Sequence, residues 1–145
     1  YEFGTAIWRL KELEKSLERI EKRMAMLDPQ PKRKIPILIG GGGEKVTLRI
    51  TAQYADVWHG FATKTEGRSG IETVAHKNSV LDNWCKEIGR DPSEIGRSIG
   101  IDLKRIDKAD ELVEAGATEI TLPLNGPDYD MSIVKEWIAW RDSKD

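Results

Sequence analysis

Ile35-Pro36-Ile37-Leu38-Ile39-Gly40-Gly41-Gly42-Gly43-Glu44-Lys45-Val46-Thr47 changes character twice within a short stretch. The apolar run Ile35–Ile39 has no polar interruption, as expected of a strand buried on both faces. Four consecutive glycines follow. A helical pattern then runs from Glu44 to about Tyr54, with Val46, Leu48, Ile50 and Ala52 supplying its apolar surface. A buried strand that turns through glycine into a helix is the repeating unit of a parallel sheet. Glycine permits positive φ and leaves no Cβ in the way of a ligand. The helix behind it aims free N–H groups and the positive end of its dipole at the turn, which suits phosphate. Thr47 would add a hydroxyl and Lys45 a charge. Glu44 opposes an anion unless its carboxylate turns away and caps the helix. The competing reading is a merely flexible turn.

The same unit recurs on the C-terminal side. Asp56-Val57-Trp58-His59-Gly60-Phe61 reads as a second strand, and Thr63 to Ile71 as a long, mobile polar loop. Helical periodicity resumes from His76 to Ile88. Gly89 suits a helix C-terminus, and Asp91-Pro92 opens a turn. Ser98 to Leu103 is a third strand, Asp107 to Ala115 a short helix, Thr118 to Leu124 a fourth strand and Ile133 to Trp140 the last helix. On the N-terminal side, Leu10, Leu13, Leu17, Ile20, Met24 and Leu27 share one face of an amphipathic helix that ends at Asp28-Pro29. Lys32-Arg33-Lys34 reads as a solvated connector. The order is helix, then four strand–helix units: α/β with a parallel sheet. An open doubly wound sheet and half of a (β/α)₈ barrel both satisfy it, since a full barrel needs ~250 residues.

Composition removes several classes of function. The 145 residues fit one domain, 1–145, and 39% hydrophobic content supports a modest core. With 23 basic and 25 acidic residues the net charge is −2, which favours neither nucleic acid nor an anionic membrane. No apolar run approaches the ~20 residues of a membrane span. Cys85 is the single cysteine, so no internal disulfide is available and a cytoplasmic location is expected. Metal-ligand spacing, a Ser-His-Asp set and a Walker loop are absent. The chain opens at Tyr1 without Met, so it is expected to be processed or cut from something longer.

In a barrel the chemistry gathers at the C-terminal ends of strands. Here those ends are Gly40, His59-Gly60-Phe61, Asp102 and Leu124-Asn125-Gly126. Alternation sends His59 to the barrel mouth if Trp58 faces the helices. Imidazole there can move protons near neutral pH or bind phosphate; the plainer reading is a histidine satisfied by a neighbouring loop. His76 is expected on the surface. Trp84 and Trp137, at helical spacing, are expected in the core, Trp8 over the lower edge of the barrel, and Cys85 as an inert buried thiol.

Three segments carry a resemblance that covers nearly the whole chain. Ile37 to Lys45, followed by Ala52-Gln53-Tyr54-Ala55-Asp56-Val57-Trp58, resembles the fifth strand, phosphate loop, fifth helix and sixth strand of the luciferase-like monooxygenase family. Glu87-Ile88-Gly89-Arg90-Asp91-Pro92-Ser93-Glu94-Ile95 is similar to that family's turn from sixth helix to seventh strand. Val113-Glu114-Ala115-Gly116-Ala117-Thr118 resembles its approach to the eighth strand. Each segment alone is weak, and their order and spacing together are specific.

The resemblance implies half of a (β/α)₈ TIM barrel, strands five to eight preceded by helix four. It implies an oxidoreductase parent that uses the deazaflavin coenzyme F-420, with FMN as the alternative, and a small organic substrate. Cofactor phosphate would be held by Gly41, Gly42, Gly43, Glu44 and Thr47; the strand ends, read from the residues themselves, put His59 and Asn125 at the active-site mouth, and no metal is expected. In that family the ring-contacting residues come largely from the first four strands, so this chain is expected to be inactive alone. A homo-oligomer or an N-terminal half is expected to cover its open face. The alternative from another class is a non-catalytic half-barrel that folds by self-association.

Overall fold

The structure is a computed structural model and describes residues 3–65 and 67–144. Helix α1 (Ala6–Ala25) precedes four strand–helix units: β1 (Leu38–Gly40) with α2 (Thr47–Tyr54), β2 (Val57–Phe61) with α3 (Gly70–Glu87), β3 (Gly96–Gly100) with α4 (Ala109–Glu114), and β4 (Glu119–Thr121) with α5 (Ser132–Asp142). The strands form one parallel sheet in the order β1-β2-β3-β4. The α/β alternation read from the sequence is therefore present.

The strands are shorter than the apolar runs, and local polar groups explain why. At β1, Pro36 has no N–H, and the Ile37 N–H goes to the Asp56 carboxylate at 2.8 Å. Pairing starts only at Leu38, opposite Val57. The third strand ends at Gly100 rather than Leu103, because Asp102 starts a turn in which its carboxylate accepts from the Lys104 amide. At β4 the Thr118 hydroxyl takes the Arg97 N–H at 2.7 Å in place of a ladder bond, and Pro123 has no donor with which to extend pairing.

Two helices also begin elsewhere than periodicity suggests. A turn at Glu44–Val46 intervenes before α2. Helix α3 starts at Gly70, not His76, because Ser69 and Glu72 form a reciprocal capping box. The loop before it is correspondingly shorter, and Thr65 and Arg68 exchange backbone hydrogen bonds of 3.3 and 2.8 Å.

One face of the sheet carries the core. Trp58 and Ile99 pack with Leu48, Val74, Leu81 and Leu112 from the helices, and Ile39 packs with Leu17, Ile50 and Ala55. Trp137 is buried as expected, and burial pushes the Cys85 thiol upward, which suits an inert sulfur. Trp84 is half-buried, its indole N–H given to the Glu44 carbonyl at 2.7 Å. The Gly89–Glu94 turn fastens two units together: Arg90 donates to the Ala52 carbonyl at the end of α2 at 2.8 Å.

The opposite face is a mixture of apolar and polar side chains. Leu38 is 57% exposed and Phe61 63% exposed, while His59, Ser98 and Glu119 form a polar row between them. On α1 only Leu17 of the apolar stripe is buried, and Ile20 and Trp8 lie open. Besides the packing of Leu17, helix α1 is held by a two-pronged ion pair from Glu14 to Arg49, at 2.9 and 3.1 Å. Among the described residues no helix is long and apolar enough to cross a membrane.

Candidate functional site

The glycine turn is built by its neighbours. The Gly41 N–H donates to the His59 carbonyl at 3.1 Å, and the Gly41 carbonyl accepts the Trp58 indole N–H at 2.8 Å. Gly41 sits at φ +125°, which L side chains rarely adopt, so glycine is required there for its backbone. Gly42 and Gly43 do not use positive φ. A Cβ on Gly43 would stand 2.8 Å from the Thr47 hydroxyl, and one on Gly42 would touch the Lys77 side chain at 3.6 Å. Among the described residues, the N–H groups of Gly42 and Gly43 make no hydrogen bond.

Beside this turn lies a hollow of about 250 Å³, walled by Gly41, Gly42, His59, Thr63, Thr73 and Lys77. A wider hollow of about 460 Å³ adjoins it over the C-terminal ends of β2, β3 and β4. His59, Phe61 and Thr63 line both.

The sequence-based candidates separate here. Gly41, Gly42 and His59 come together. Gly43 lies just outside the wall, and Thr47 is buried beneath the turn with its hydroxyl against Gly43. Asn125 is exposed past Pro123 and lines neither hollow.

Glu44 neither caps α2 nor faces the hollow's ligand space; α2 has no side-chain cap. Its carboxylate turns to α3, 2.5 Å from Lys77 Nζ and 3.0 Å from His76 Nε2. The Lys77 bond, resisted by desolvation and aided by His76, holds the Glu44 carboxyl below its ordinary range. His76, expected on the open surface, is half-buried as part of this cluster.

Lys77 lines the small hollow and has no local signal in the sequence. Its side chain comes within 3.6 Å of the place a Gly42 Cβ would occupy, and it arrives on α3 from far along the chain. Lys45, the nearer lysine in sequence, lines neither hollow.

A free amide at Gly42, a second just outside the wall at Gly43, an ammonium group and threonine hydroxyls beside a small hollow can hold a phosphate. The wider hollow, with Phe61, Ile101, Leu122 and Pro123 among its walls, can take an apolar ring or substrate. Among the described residues no group of three or more His, Cys, Asp or Glu is placed to hold a metal ion. No family model matches the chain, and no curated protein matches it significantly.

Proposed function

We propose that this chain is the cofactor-phosphate-binding half of a (β/α)₈ oxidoreductase of the luciferase-like monooxygenase type. The observation that carries the reading is the small hollow lined by Gly42, whose N–H is unpaired among the described residues, and by Lys77, with the unpaired Gly43 N–H just outside its wall. Its position at the C-terminal ends of parallel strands is where barrels place their sites.

The residues present fit a phosphate-bearing flavin or deazaflavin. The Gly42 amide and Lys77 would hold its phosphate, with the Gly43 amide beside them, Thr63 and Thr73 as hydroxyl donors, and Gly41 shaping the turn. The wider hollow would admit the remainder. Coenzyme F-420 is the first choice of cofactor and FMN the second. When bound, such a group supplies two-electron redox chemistry toward a small organic substrate. The chain's own part is to bind, orient and exclude water. By the resemblance, the ring-contacting wall belongs to the first four strands of such a barrel, so residues 1–145 by themselves would turn over no substrate.

Cover for the open sheet face completes the proposal. Leu38 and Phe61 are exposed on it, and both β1 and β4 have an unpaired edge. An N-terminal half-barrel or a second copy of this chain would bury them, in a cytoplasmic protein.

Equilibrium titration with FMN and with coenzyme F-420 tests the reading. Lys77→Met and Gly42→Val should each weaken the binding of at least one of them. Glu44→Gln, which releases Lys77, should tighten it. Unchanged affinity for both cofactors in Lys77→Met and Gly42→Val would refute the assignment.

A further inference from the structure

Strand register places three polar residues in one line. His59 pairs with Ser98 between β2 and β3, and Ser98 pairs with Glu119 between β3 and β4. All three side chains project from the open face of the sheet. His59 Nδ1 lies 3.1 Å from Ser98 Oγ, and Ser98 Oγ donates to Glu119 Oε1 at 2.9 Å.

A serine hydroxyl has one proton to give. Here it goes to Glu119, so toward His59 the oxygen can only accept. His59 Nδ1 must then carry a hydrogen, and a neutral imidazole with a proton on Nδ1 has a lone pair on Nε2. Among the described residues Nε2 has no hydrogen-bond partner, and His59 lines both hollows. Phe61 meets the ring edge-on, 5.0 Å between centroids, and limits its rotation.

We propose that His59 is the proton acceptor of this site, set in the Nδ1–H form by Ser98 and Glu119. Its partner is a hydroxyl or N–H group of an organic ligand in the wider hollow. The ligand's O–H or N–H bond breaks, its electron pair stays on the ligand, and the proton bonds to Nε2. The resulting imidazolium is offset by the Glu119 carboxylate through the Ser98 hydroxyl. Ser98 and Glu119 are positioning residues. The row is not a hydrolase triad. Ser98 is 1% exposed, stands between acid and imidazole, and commits its proton to the acid, so it cannot be the nucleophile.

That the ligand accompanies a flavin-type cofactor rests on the function proposed above; the state of His59 does not. Long-range ¹H–¹⁵N correlation spectra of the whole chain at alkaline pH read the tautomer directly. With only two histidines, His76→Gln assigns the signals. The expected result is a protonated Nδ1 and a pyridine-type Nε2 at His59. In Glu119→Gln the amide can donate to Ser98 and turn its hydroxyl toward Nδ1, so the proton should move to Nε2. Ser98→Ala should shift the balance the same way. Diethylpyrocarbonate should modify His59 several-fold more slowly in Glu119→Gln than in the wild type. A wild-type His59 protonated at Nε2, or a tautomer unmoved by both variants, overturns the proposal. If the tautomer is as expected and neither coenzyme F-420 nor FMN protects His59 from modification, the base stands and the cofactor reading fails.

Discussion

Lys77 Nζ lies 2.5 Å from Glu44 Oε1, and through that pair α3 is tied to the turn that follows β1. The same lysine passes within 3.6 Å of the place a Gly42 Cβ would occupy. A cation at the glycine turn therefore already has an internal carboxylate partner. An incoming phosphate must share Lys77 with Glu44 or take it over.

The pair sets a pH dependence. The Lys77 bond, against desolvation and with help from His76, lowers the Glu44 carboxyl from its ordinary 4.5. A lowered folded value means that the stabilisation is complete above the ordinary value and is lost as pH falls through the folded one. A ¹³C titration of the Glu44 carboxyl should give a midpoint below the ordinary value, moving upward in Lys77→Met. A midpoint at or above that value in the wild type contradicts the pairing.

Trp58 joins the core to the turn. It is 2% exposed among helix side chains, and its indole holds the Gly41 carbonyl at 2.8 Å. Trp58→Ala should cost about 3–5 kcal/mol in urea unfolding, as expected for a buried aromatic reduced to alanine. Trp58→Phe should cost less, yet still speed amide exchange at Gly41, whose N–H is bonded to the residue after Trp58. Unchanged exchange in both variants would show that the indole does not brace the turn.

The start of α3 rests on two adjacent residues of different kinds. Ser69→Ala removes an N-cap and should cost about 1 kcal/mol. Gly70→Ala should cost more, because its Cβ would stand 2.3 Å from the Ala62 carbonyl oxygen. That oxygen belongs to backbone and cannot swing aside. Chemical denaturation of the two variants gives the order; the reverse order would mean the helix start can shift at little cost.

Much of this was legible in the sequence. Alternating apolar runs and helical periods gave four strand–helix units, and strand alternation gave His59 a face opposite Trp58. The Ser69–Glu72 spacing is a capping box that reads plainly, but the polar composition of the stretch pointed to loop instead. Lys77 and the partners of His59 had no local signal. Each is joined to the site by strand register or helix placement, which only the assembled sheet determines. The strands were overestimated because side-chain groups, Asp56 and Thr118 above all, take hydrogen bonds that an apolar run alone assigns to the ladder.

Cover for the open face has its own test. Burying several hundred Å² of apolar surface is worth several kcal/mol at ~25 cal/mol per Å², against a total stability of about 5–15 kcal/mol for a domain. Sedimentation across a dilution series should show a dimer or larger assembly whose melting depends on concentration. A folded monomer at low micromolar concentration, melting cooperatively and independently of concentration, would favour a self-sufficient open sheet.

Amide chemical shifts report where a phosphate sits even at weak affinity. FMN titrated into ¹⁵N-labelled protein should move the Gly42 and Gly43 amides first, with Thr63 and the Lys77 side chain following. Lys77→Met should reduce those shifts at equal ligand concentration. Shifts confined to other surfaces, or glycine amides that stay in place up to millimolar FMN while wild type and Lys77→Met respond alike, would contradict a phosphate site at the glycine turn.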